Sequence, residues 1–112
     1  MLVVDDDTAA LELRKLLLER CRHVVRIVAS AEAAREVFRD ADFDAVITDL
    51  RLPEAEDGLA LIREFRATNL DVKIIVLCGN SADIEGREES SMVNAILTKP
   101  VRSEVLLSAI SS

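Results

Sequence analysis

The 112-residue sequence predicts an α/β sandwich of three layers, in which a parallel sheet carries helices on both faces. Two observations support this. Short β-branched runs bounded by polar residues read as strands buried on both faces, the mark of a parallel sheet. Between them lie segments whose apolar residues recur at helical spacing, joined by short connections. Right-handed crossovers then restrict the topology open to such a chain.

Taken in order, Leu2-Val3-Val4 is the first strand. The first helix follows, with Leu11, Leu16 and Leu18 as its apolar stripe and Glu12, Arg14, Lys15 and Glu19 toward water. Asp7 or Thr8 can cap it, because either side chain accepts from the free N–H groups of a first turn. Val24 to Val28 is the second strand. It leads to a helix from Ala31 to Arg39 that Ser30 can cap and that buries Ala34, Val37 and Phe38. Ala45 to Thr48 is the third strand, and Leu59, Leu61, Ile62 and Phe65 mark the third helix. Lys73 to Leu77 is the fourth strand. The next stretch, Ala82 to Ser91, offers one large apolar residue, Ile84, and a mid-run Gly86 that costs a helix about 1 kcal/mol relative to Ala. A short or mobile helix is expected there, with Glu85, Glu88 and Glu89 as a solvated face. Ala95-Ile96-Leu97 is the fifth strand, and Ser103 opens a last helix carrying Val105, Leu106, Leu107 and Ile110.

Composition excludes several classes. Half the residues (50%) are hydrophobic, enough for a packed core and too many for a disordered chain. A net charge of −7 would repel nucleic acid and anionic membrane surfaces, so neither is an expected partner. No apolar run approaches the ~20 residues a membrane span needs. Asp5 interrupts the N-terminal apolar run, so no signal peptide is expected. Cys21 and Cys78 make neither a disulfide framework nor a zinc spacing, and His23 has no ligand partner at useful spacing. The expectation is one reduced, cytoplasmic domain spanning residues 1–112.

In a parallel α/β sheet, ligands bind beyond the carboxyl ends of the strands. The first strand runs into Asp5-Asp6-Asp7, the third ends at Asp49, the fourth at Cys78-Gly79-Asn80 and the fifth at Thr98-Lys99-Pro100. Carboxylates gathered at one edge repel unless a positive charge sits among them. A hard divalent ion resolves this, and Mg²⁺ favours one or two carboxylates together with water and phosphate oxygens. Lysine adds a mobile positive charge suited to a phosphoryl group, and a carboxylate so placed can attack phosphorus to form an acyl phosphate. The combination reads as a phosphoryl-acceptor site. Asp7 is better suited to a cap than a ligand, and Asp44, ahead of its strand, belongs to the opposite edge.

Over essentially its whole length the sequence resembles the receiver domain of two-component response regulators. Three segments carry the resemblance: Val3-Val4-Asp5-Asp6-Asp7, the run from Asp49 through Pro53 to Asp57-Gly58, and Leu97-Thr98-Lys99-Pro100. The resemblance implies a flavodoxin-like, doubly wound (βα)5 fold with parallel strand order 2-1-3-4-5. It implies that Asp49 accepts a phosphoryl group from a histidine kinase or phosphotransfer protein. Asp5, Asp6 and Asp49 would hold Mg²⁺ with the backbone carbonyl of Arg51, Lys99 would pair with the phosphoryl oxygens, and Gly58 would start the third helix. It also leaves room for a homodimer through the output face.

Two positions depart from the family pattern. Cys78 stands where Thr or Ser is usual, and its thiol is a weak donor. Ile96 stands where Tyr or Phe is usual, so the ordinary hydroxyl–aromatic switch lacks both parts. The alternative is therefore a degenerate receiver, an interaction module without phosphorylation control. A haloacid-dehalogenase-type phosphatase is a poorer match, because Asp5-x-Asp7 is followed by Ala9. An EF-hand fails because Ala10 takes the glycine position and Leu16 that of the terminal glutamate.

Overall fold

A computed structural model describes residues 1–112. The strands are β1 (Leu2–Val4), β2 (Arg26–Val28), β3 (Ala45–Asp49), β4 (Lys73–Cys78) and β5 (Ala95–Thr98). The helices are α1 (Thr8–Arg20), α2 (Ala31–Asp40), α3 (Ala55–Thr68) and α4 (Ser103–Ser111). All five strands pair in parallel in the order β2-β1-β3-β4-β5, as expected for a doubly wound sheet.

Alternation along the central strands divides the core between two faces. Leu2, Val4, Val46, Ile74 and Val76 pack with Ala34 and Phe38 of α2 and Leu59, Ile62 and Phe65 of α3. The intervening Val3, Ile47, Ile75 and Leu77 pack with Leu11 and Leu18 of α1 and Leu106 and Ile110 of α4. Phe38 and Phe65 stack with ring centroids 4.1 Å apart, which locks α2 against α3.

Caps fix where the helices begin and end. Asp7 accepts from the N–H groups of Ala9 and Ala10, and Ser30 from that of Ala33. α1 ends with Arg22 in the left-handed region (φ 69°), while the His23 N–H donates to the Leu18 carbonyl and the Arg22 N–H to that of Glu19. The His23 N–H thus closes a helix end.

Several local expectations are corrected. Leu16 is 56% exposed, because five residues past Leu11 places it about 140° round the helix from the buried stripe. Arg14, three residues after Leu11 and four before Leu18, lies on that stripe and turns inward. α3 starts at Ala55 rather than Gly58: Glu54 is its N-cap, and the Asp57 carboxylate accepts from the Glu54 N–H. The crossover from β4 to β5 contains two short 3₁₀ turns, Ser81–Asp83 and Glu88–Ser91, and no α-helix. Within it Glu89 is only 3% exposed, contrary to a solvated face, since Arg63 of α3 reaches over to pair with it.

Candidate functional site

The strand order explains how the carboxylates meet. β1 and β3 are neighbours, so their carboxyl ends bring Asp5, Asp6 and Asp49 to one place. Ligand-capable oxygens of the three lie within 4.8 Å of one another. Asp5 is fully buried, Asp49 nearly so, and Asp6 is exposed. Two buried and one accessible carboxylate make an oxygen-only donor set open on one side, which suits a hard divalent ion that keeps several waters. The Arg51 carbonyl, two residues past Asp49, is not used by the backbone hydrogen-bond network.

β5 contributes the cation. Lys99 Nζ donates to Asp49 Oδ2 at 2.8 Å and lies 3.6 Å from Asp5 Oδ2. Its own N–H donates to the Cys78 carbonyl at 2.8 Å, which fixes the strand end that presents it. The Lys99–Pro100 peptide is cis. The other Asp49 oxygen, Oδ1, accepts from the Leu50 N–H at 2.8 Å, so the carboxylate is held at both oxygens. Behind it, the buried Thr48 hydroxyl donates to the Asp49 carbonyl.

α3 closes tightly on this strand end. A Cβ at Gly58 would fall 2.0 Å from the Leu50 carbonyl oxygen, so only glycine lets the first turn of the helix sit against the residue after Asp49. Arg51 pairs through Nε and Nη2 with both oxygens of Asp83, at 3.0 and 3.1 Å, tying the loop after β3 to the crossover.

Cys78 is buried at the end of β4. Burial pushes its thiol up, and the charges of Asp83, Asp49 and Glu85 push it further, so it is a packed neutral group. Ile96 is half-buried and packs against the core. Asp44 lies at the opposite edge, where its charge faces the amino terminus.

One residue at the site belongs to no expected set. Arg14 Nη1 donates to Asp5 Oδ2 at 2.5 Å, while Asp5 Oδ1 accepts from the Asp7 N–H at 2.9 Å. Burial alone would raise the Asp5 carboxyl. The Arg14 hydrogen bond, the Asp7 N–H and the positive charges of Lys99 and Arg14 outweigh it and hold the group below the usual range. The signal was present as an arginine at a core-facing position of α1, but the carboxylate it meets is visible only in the fold.

Known proteins are similar to this chain in sequence and in fold. The family model of the response regulator receiver domain matches residues 1–111. The sensory/regulatory protein RpfC of Xanthomonas campestris pv. campestris is 32% identical over 119 residues, covering 99% of this chain but only 16% of that protein. The crystal structure of a response regulator receiver domain protein from Clostridium thermocellum superposes with a TM-score of 0.89 at 28% identity, covering 98% of this chain and 89% of that one. The Thermotoga maritima response regulator TrrA, solved in complex with Mg²⁺-BeF, superposes with a TM-score of 0.88 at 27% identity, covering 98% and 94%.

Proposed function

Since this chain belongs to the response regulator receiver family, whose domains accept phosphoryl groups in two-component signalling, we propose that Asp49 is its acceptor. The observation that carries the assignment is the Asp49 carboxylate held 2.8 Å from Lys99 Nζ and within 4.8 Å of the Asp5 and Asp6 oxygens. An Asp49 oxygen attacks the phosphorus of a phosphohistidine. The P–O bond forms as the P–N bond breaks, and the imidazole leaves with the electron pair. Lys99 then follows the negative charge, exchanging the carboxylate oxygen it now holds for a phosphoryl oxygen.

Asp5, Asp6, Asp49 and the Arg51 carbonyl would hold Mg²⁺. When bound, this ion neutralises charge on the phosphoryl oxygens. The partner is a histidine kinase or a phosphotransfer protein, the donors expected for the receiver family. No helix is long and apolar enough to cross a membrane.

Cys78 and Ile96 bear on output rather than acceptance. Neither touches the Asp49–Lys99 pair through a side-chain hydrogen bond, and the Cys78 thiol is a poor substitute for a hydroxyl donor. Phosphoryl acceptance therefore survives these two replacements, while coupling to the face formed by the crossover and β5 takes another form. Incubation with acetyl phosphate and Mg²⁺ followed by intact-mass measurement tests the acceptor. One phosphoryl adduct is expected in the wild type and none in Asp49→Ala. An adduct that persists in the variant would transfer the role to another aspartate.

A further inference from the structure

Arg14 gives the acidic cluster a cation of its own. It leaves α1 between the buried Leu11 and Leu18, its side chain is only 17% exposed, and it ends on Asp5 Oδ2. Its flank is the groove between α1 and the segment after β5, where Leu17, Val101 and Leu106 lie. Both Asp5 oxygens are thereby engaged: the Asp7 N–H holds one, and Arg14, with Lys99 at 3.6 Å, holds the other. Three carboxylates and two protein cations leave the cluster with a formal charge of only −1, so much of the attraction for a divalent ion is already spent.

We infer that Arg14 is an internal counter-ion that competes with the divalent metal for Asp5 and sets the metal concentration at which the site loads. The inference rests on the metal reading given above. It differs from a purely structural role in sign: a group that only braces Asp5 would position it for the metal, and its removal would weaken binding. A group that occupies Asp5 opposes the metal both by holding the oxygen and by placing a unit positive charge beside the ion.

The test is calorimetric titration of the unphosphorylated protein with Mg²⁺; the absence of Trp and Tyr leaves no strong intrinsic fluorophore to report binding. Arg14→Met keeps the aliphatic reach in the groove and removes the charge. It should bind Mg²⁺ about tenfold more tightly than wild type. Arg14→Lys keeps the charge, and its affinity should stay near wild type, which separates charge from altered packing. Equal or weaker binding by Arg14→Met, with wild type still binding, overturns the inference and leaves the metal site standing. Failure of both proteins to bind Mg²⁺ overturns the metal reading and this inference together.

Discussion

Gly58 shows how strongly one missing side chain can constrain the site. A methyl group there would meet the carbonyl oxygen, carbonyl carbon and Cα of Leu50 at 2.0, 2.6 and 2.6 Å. These are backbone atoms, so no rotamer change relieves the clash; α3 must separate from the end of β3. Overpacking of this kind costs about 2–3 kcal/mol, and we expect Gly58→Ala to lower the thermal midpoint by about 10 °C. Gly79, at the end of β4, has open space where its Cβ would go and provides the control. Gly79→Ala should shift the midpoint by little, and equal losses in both variants would contradict the packing argument. The glycine and the aspartates were legible as residue types at strand ends. Their partners were less so: Leu50 lies eight residues before Gly58, while Arg14 meets a carboxylate that its own helix does not carry. A charged residue at a core-facing helical position marks such a contact without identifying it.

The elements divide by how much of their stability is local. α1 and α2 announce themselves through caps and apolar stripes and α3 through its stripe, and their presence could be read directly. The crossover between β4 and β5 could not, because its order comes from α3. Arg63 pairs with the buried Glu89, Arg87 lies 3.8 Å from the same carboxyl group, and Arg66 donates to the Met92 carbonyl and to Asn94 Oδ1. Glutamates are seldom buried unless paired, and this pair spans 26 residues, so sequence spacing points to solvent instead. Burial would raise the Glu89 carboxyl; its own N–H, the Arg63 hydrogen bond and the charges of Arg63 and Arg87 outweigh this and lower it. The folded pKa thus lies below that of the unfolded chain, about 4.3 for a glutamate, and the contribution is full above that pH. It is lost as pH falls through the depressed folded value. Urea unfolding should therefore find Glu89→Gln less stable than wild type near neutrality, with the gap closing on acidification below about pH 4. A gap independent of pH would show that the carboxylate charge does not anchor this segment.

At the scale of the molecule, the site is a product of topology. Its residues come from positions 5, 6, 49 and 99, and the order β2-β1-β3-β4-β5 brings their strand ends together. Alternation and right-handed crossovers made the parallel sandwich readable, because buried parallel strands leave runs that survive without knowledge of tertiary contacts. An ion held by both β1 and β3 has no equivalent site in the unfolded chain, so metal binding must stabilise the whole fold. At a concentration about a hundred times its Kd, this linkage amounts to ~2.7 kcal/mol. The thermal midpoint in Mg²⁺ should exceed that in a chelator, with monovalent salt at matched ionic strength controlling for screening of the net −7 charge. Asp49→Ala should remain folded in the chelator, within about 1 kcal/mol of wild type, since a partly screened ion pair is lost and a crowded carboxylate is removed. Lys99 would still have Asp5, now 3.6 Å away, as a partner. The same variant should lose most of the Mg²⁺ increment, whereas Asp44→Ala, altered at the far edge of the sheet, should keep it. Equal increments in wild type and Asp49→Ala would place the ion elsewhere on this acidic surface and separate the metal from the phosphoryl acceptor.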